Sequence, residues 1–342
     1  MKSFKELCLE ITENQYRELN AINYSLLSRY SQNGVRALKE DISLEGPGIT
    51  FGSMVDTLIT NKEAFNDLYY VSDVFVTPGI KQIVDYIVST TSYQCDINSI
   101  PEEVLIYAIE ACDWQPNWKI ETKIKKVLSE GRDYYKARIA AINKIPVSNF
   151  DFKEAMELCK EITQGMWTKN IFGIKGKEGV EFLYQQKMKY THEMWNLYGP
   201  SGKFIDLKAM IDIIIVDHNN KIIIPFDIKT TSSSLYNFKK SFYKYRYDIQ
   251  AQLYNYILEK KCVNDDYFKD FSLLDIRFIV ASREDMKVVS FIDDSEQGVY
   301  ENNFKHWSDL LKEIVFLKTN GMEYEYDAYI NEGLIKLNAN DR

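Results

Sequence analysis

The chain has 342 residues, 45% of them hydrophobic, enough to pack the core of one large domain or two. No apolar run approaches the roughly 20 residues of a membrane helix, and MKSFKELCLE at the start carries charge in every turn, so a cytoplasmic protein with no membrane partner is expected. Five scattered cysteines without a CxxC argue against a zinc ribbon or iron–sulfur cluster, and a net charge of −8 means that any nucleic-acid partner must be held by a local basic surface.

Residues 1–60 read as helical, with a break at Glu45-Gly46-Pro47-Gly48. Apolar residues at three- and four-residue spacing predict further helices in IKQIVDYIVSTT (80–91), PEEVLIYAIEAC (101–112) and WKIETKIKKVLSEGRDYYKARIAAIN (118–143), and Pro146 and Ser148 close this part. The texture changes near residue 180. VEFLYQQKMKYT (180–191), KFIDLKAMIDIIIVD (203–217) and KIIIPFDIK (221–229) read as strands. A helix follows over 240–261, then strands in LLDIRFIVAS (273–282) and MKVVSFID (286–293), then a helix over 297–319. Strands gathered in the second half with helices around them predict an α/β fold, a central mixed sheet flanked by helices, behind a helical N-terminal region. The expected divisions are 1–165, 166–320 and a polar tail over 321–342.

Between the second and third strands lies His218-Asn219-Asn220. A turn centred on Asn219-Asn220 sets Asp212 directly opposite Asp227, and Lys229, two residues on, shares the face of Asp227. Like charges directly opposed destabilise a sheet, so a compensating Mg²⁺ or Mn²⁺ is expected. Asp-x-Lys also occurs at 151, 206 and 285, so the pattern alone is weak. The best competitor is Asp206-Leu207-Lys208, but the same register sets it against Ser233 rather than an acid. A surface salt-bridge cluster is the bland alternative. The apolar runs Ile213–Val216 and Ile222–Phe226 argue for burial instead, and buried charge is costly unless it binds something.

The segment SSSLYNFKKSFYKYRYDIQAQLY that follows places Lys239, Lys240, Lys244 and Arg246 among Tyr243, Tyr245 and Tyr247, a basic–aromatic pattern suited to phosphate contacts. Gln250 and Tyr254, four apart, fall on one helix face. Lys169, Lys175 and Lys177 form a second basic run.

Asp212, the hairpin and Asp227-Ile228-Lys229-Thr230-Thr231 resemble the core of the PD-(D/E)xK nucleases. Gln250-Ala251-Gln252-Leu253-Tyr254 resembles the Gln-x-x-x-Tyr helix of their RecB-like branch. Asn23–Ser28, Phe51–Ile59, Phe278–Ala281 and Val288–Phe291 are similar to segments of the exonuclease VIII type, so the resemblance extends in patches over residues 20–315. It implies a restriction-endonuclease-like core. It also implies a Mg²⁺- or Mn²⁺-dependent DNA exonuclease, acting 5′→3′ on linear duplex in phage-type recombination or repair. The partners implied are DNA, other copies of the chain in a trimeric or tetrameric ring, and a single-strand annealing protein. The alternatives are a nuclease of the same fold with other polarity or a single-stranded substrate, and a catalytically silent DNA-binding or assembly protein. On this resemblance the metal ligands are Asp212, Asp227, the Ile228 carbonyl and Asp56, the last standing where the family usually has histidine. Lys229 orients water or stabilises developing charge, Glu181 (or Glu178) is the additional acid, and Thr230, Thr231, Gln250 and Tyr254 join the basic residues near the DNA.

Overall fold

The computed structural model describes residues 1–40, 46–72, 74, 76–196, 199–293 and 305–335. The chain forms two compact units, Asn61–Met156 and the combination of Met1–Thr60 with Glu157–Arg342. In the first of these, β1 (Tyr69–Ser72) pairs in parallel with β2 (Ile145–Ser148). Its helices Pro78–Thr90, Glu102–Ala111, Ile120–Glu130 and Arg132–Ala140 bury Ile80, Ile83, Leu105, Ile109, Val127 and Tyr135. The single helix expected over 118–143 is two, joined at Gly131, where any side chain would meet Ile80 and Val84 at 3.1 Å. The strands at 69–72 and 145–148 escaped the sequence reading because four residues carry too short a period to detect.

The second unit is built on a mixed sheet of six strands flanked by helices. Its strands are β3 (Val180–Asn196), β4 (Gly199–Asp217), β5 (Ile222–Thr231), β6 (Ser272–Leu273), β7 (Arg277–Ser282) and β8 (Lys287–Ile292). The order is β3-β4-β5-β7-β8, with β6 also on β5. Pairing is antiparallel except that β5 runs parallel to β6 and β7. A parallel neighbour requires a long crossover. That crossover carries the helices Phe238–Lys244 and Tyr247–Val263. Ile213, Ile214, Ile215 and Val216 are all at most 1% exposed, so this part of β4 is covered on both faces.

One core cluster joins Leu183, Leu207, Ile211, Ile214 and Ile223 of the sheet to Ile249, Leu253 and Ile257 of the Tyr247–Val263 helix and to Leu311 and Ile314 of the helix Trp307–Asn320. Phe4, Ile22, Leu27 and Tyr30 belong to the same cluster. This is why the chain does not divide at residue 165: the N-terminal 60 residues bury their apolar side chains against the sheet. The tail is likewise partly docked. Glu325 accepts hydrogen bonds from the Val35 N–H at 3.0 and 3.1 Å, and Tyr326 and Tyr329 pack on the core. The start of the helix expected over 297–319 falls outside the described residues, as do residues 336–342.

Among the described residues no helix is long and apolar enough to cross a membrane. The β4–β5 hairpin has the register read from the sequence, from Asp217↔Ile222 to Ile213↔Phe226. Its turn differs in one detail. The left-handed residue is Lys221 (φ 53°), while Asp217 Oδ1 accepts the N–H groups of both Asn219 and Asn220 at 3.0 Å.

Candidate functional site

The hairpin ladder ends at Ile213↔Phe226, and the site begins one residue beyond it. Where Asp212 and Asp227 would form the next rung, the strands part. Asp212 Oδ2 instead accepts the N–H of Ile228 at 2.7 Å. The edge of β4 that β5 leaves is taken by Ile22, whose N–H donates to the Asp206 carbonyl and whose carbonyl accepts from the Lys208 N–H. Asp227 is 2% exposed. Its Oδ1 accepts from the side-chain amide of Gln250, and its Oδ2 lies 2.6 Å from Lys229 Nζ in an ion pair that lacks hydrogen-bond geometry. The Lys229 ammonium also stands 4.7 Å above the Tyr247 ring.

Asp56 reaches this cluster from the helix Pro47–Thr60. Gly52, one turn earlier on the same helix face, is where the helix meets β5. A Cβ at that position would stand 2.9 Å from Thr230 Oγ1, so glycine permits the approach. Asp56 Oδ2 accepts from Gln185 Nε2 at 2.9 Å, and Asp56 Oδ1 is buried without a hydrogen-bond partner.

Burial and mutual repulsion govern the charges. Burial first, then Asp227 and Asp56, push the Asp212 carboxyl well above the usual range. Burial and Asp227 raise Asp56 to about 6, against the opposing hydrogen bond from Gln185. Burial disfavours the Lys229 ammonium, but the carboxylates of Asp227 and Asp212 outweigh it and hold the group above its ordinary value. Three carboxyls with one ammonium leave an excess of negative charge.

Several expected site residues do other work. Gln250 holds Asp227 rather than reaching outward, and Tyr254 is buried in the core cluster beneath the same groups. Arg246 is corrected outright as a phosphate contact. It is 3% exposed, bonded to Asp248, Ser31 and the Lys305 carbonyl, and sits at φ 55° in the break between the two crossover helices. Thr231 Oγ1 accepts from the Ser233 N–H, closing the turn after β5, and Thr230 packs at Gly52. Glu181 is not brought to the cluster. It pairs with Val216, four residues along β4 from Asp212. That is about 13 Å at the usual strand rise. Its carboxylate accepts from Ser3 Oγ and the Phe4 N–H and meets His218 Nε2 at 2.9 Å, anchoring the N-terminal segment. Glu178 lies at the hairpin turn, its carbonyl accepting from Asn219. Lys239, Lys240 and Lys244 are exposed, with Tyr243 and Tyr245 about 40% exposed beside them.

The competing Asp206-Leu207-Lys208 is structural. Buried Lys208 donates to the carbonyls of Tyr16, Arg17 and Leu19 at 2.8–2.9 Å, closing the end of the helix Glu13–Glu18. Asp206 is held by Lys189 and Thr191. The sequence shows neither Gln185 nor the packing roles of Gly52 and Asn23–Ser28. Asn23 caps its helix, and Tyr24 and Ser28 both donate to the Tyr245 carbonyl, at 2.6 and 2.8 Å. Gly52 could have been found, since it lies four residues before Asp56.

As they stand, no three His, Cys, Asp or Glu side chains among the described residues are gathered into a cation cage. The donor chemistry nevertheless fits a hard divalent cation. All donors are oxygen, and Asp56 Oδ1 and Asp227 Oδ2 are buried without hydrogen bonds. The N–H and C=O of a strand residue point to the same side, so the Ile228 carbonyl faces the gap that its N–H spans to Asp212. Compared with known proteins, the chain matches no family model and no curated sequence.

Proposed function

We propose that this chain is a metal-dependent deoxyribonuclease with a restriction-endonuclease-like core of the PD-(D/E)xK type. One observation carries the reading. At the point where β4 and β5 part, buried Asp227, half-buried Asp212 and Lys229 adjoin a third aspartate from a separate helix, and one oxygen each of Asp56 and Asp227 is buried without a hydrogen bond. Such an arrangement is costly to bury unless it binds a cation. Asp212, Asp227, Asp56 and the Ile228 carbonyl would hold Mg²⁺ or Mn²⁺. When bound, the cation lowers the pKa of water and withdraws charge from the phosphate oxygens.

The chain's own groups supply the rest. Gln250 fixes the Asp227 carboxylate. Lys229, restrained by Asp227 and Tyr247, offers its ammonium to the attacking water or to a non-bridging phosphate oxygen. Water adds to phosphorus, one P–O ester bond breaks, and the departing oxygen takes up a proton. Exposed Lys239, Lys240 and Lys244 with Tyr243 and Tyr245 suit a DNA backbone. The resemblance favours 5′→3′ digestion of linear duplex by a ring-shaped homo-oligomer working with a single-strand annealing protein.

The test is a digest of end-labelled linear duplex mixed with covalently closed plasmid, with Mg²⁺, with Mn²⁺ or with chelator. Metal-dependent release of nucleotides from linear DNA, lost in Asp227→Ala, is expected. Cutting of closed circles at the same rate would indicate an endonuclease, and DNA binding without cleavage in either metal would indicate the silent protein.

A further inference from the structure

Gln185 carries backbone strain at the centre of the site. It is the residue skipped in the β3–β4 ladder, between Tyr184↔Ile213 and Gln186↔Ile211, and its φ is 47°. A left-handed residue other than glycine, inside a strand, persists only where its surroundings over-determine it. The register is the same on both sides of Gln185, so the kink corrects no slippage of the strands. Position 185 stands across from Asp212, and the Gln185 amide donates to Asp56 Oδ2 at 2.9 Å. Among the described residues it is the one donor to that carboxylate, whose other oxygen is buried and unpartnered.

The chemistry of an amide suits this place. A carboxylate at 185 would repel Asp56, and an ammonium would bring a second cation beside Lys229. An amide orients the carboxylate while leaving its negative charge uncompensated. Such outer partners of a ligand set its orientation and its effectiveness.

We propose that Gln185 is a positioning residue for divalent-cation binding: its amide holds one oxygen of Asp56 so that the other stays available to the cation. This inference rests on the metal-dependent reading above. The position invites two complementary substitutions. Gln185→Met keeps the volume and removes the donor. Gln185→Gly removes the donor and accepts the left-handed backbone without strain, so it stays folded even where methionine at φ 47° costs stability.

The experiment is a calorimetric Mn²⁺ titration of the full chain without DNA, run on the wild type, both Gln185 variants, Asp56→Ala and the double variant Asp56→Ala/Gln185→Met. Thermal midpoints in chelator accompany it. Each Gln185 variant is expected to bind Mn²⁺ about 10- to 100-fold more weakly. Gln185→Gly is expected to match or exceed the metal-free thermal midpoint of the wild type. The double variant should bind no more weakly than Asp56→Ala, because Gln185 acts through Asp56. Wild-type affinity in either folded variant overturns the proposal, as does an additive loss in the double variant or a wild type that binds no Mn²⁺. A wild type that binds Mn²⁺ but cleaves no DNA sinks the nuclease reading alone, since the affinities still decide the role of Gln185.

Discussion

At the scale of single residues, two Asp-x-Lys motifs in one strand pair show how context assigns chemistry. Lys229 faces two carboxylates, whereas Lys208 faces three helix-end carbonyls. Lys229→Met should abolish Mg²⁺-dependent cleavage. Because it leaves Asp227 buried and unpaired, it should also cost about 3–5 kcal/mol at neutral pH, read from urea unfolding. Lys208→Met should cost about 1.5–3 kcal/mol, yet the folded fraction should cleave at the wild-type rate. If the two variants lose activity alike, the site has been assigned to the wrong motif. The carboxyls also make a pH prediction. Asp56 titrates near 6 in the folded chain against an ordinary 3.8, so between those values the folded state binds the extra proton. Its contribution to stability is present below the lower value and is lost as pH rises through the higher one. In chelator, the wild type should therefore lose up to about 3 kcal/mol between pH 4 and pH 7 from this group, and Asp56→Asn should flatten that slope. An equal slope in wild type and variant would remove Asp56 from the cluster.

At the scale of elements, the helix Pro47–Thr60 and β5 touch at Gly52 and Thr230, and that contact sets the reach of Asp56. Alanine at 52 gains about 1 kcal/mol of helix propensity but overpacks the contact, which typically costs about 1–3 kcal/mol. Gly52→Ala should reduce cleavage by roughly tenfold, the effect of about 1.4 kcal/mol on the barrier. Thr230→Ala, which removes the opposing oxygen, should restore it in the double variant. Full activity in Gly52→Ala would show that the helix is positioned by something else. The break between the crossover helices carries a similar lesson. A single helix over 240–261 is what the residue pattern predicts, but left-handed Arg246, buried against Asp248, divides it. Arg246→Ala should therefore lower stability, whereas charge removal at Lys239, Lys240 and Lys244 should leave stability unchanged. The triple variant should weaken DNA binding and reduce its salt dependence by roughly one unit of slope per lost phosphate contact. An unchanged slope would put the DNA path elsewhere.

At the scale of the molecule, the first 60 residues complete the unit that holds the sheet, and they supply Asp56 as well as core side chains. What the sequence determined was local. A compact turn between two continuous apolar runs set the β4–β5 register, and that register brings Asp212, Asp227 and Lys229 together, because all three are tied by one hairpin. Helix periodicity and the strand order along the chain fall under the same rule. Tertiary structure alone decided which charges face inward. Glu181 and Arg246 look like site residues along the chain, but their partners are Ser3, Phe4 and His218 in one case and Ser31, Asp248 and Lys305 in the other. Gln185 joined the site for the same reason, through a strained φ and a hydrogen bond to a residue 129 positions away. Burying a charge is decided by the group that lies opposite it in space, and long-range packing chooses that group.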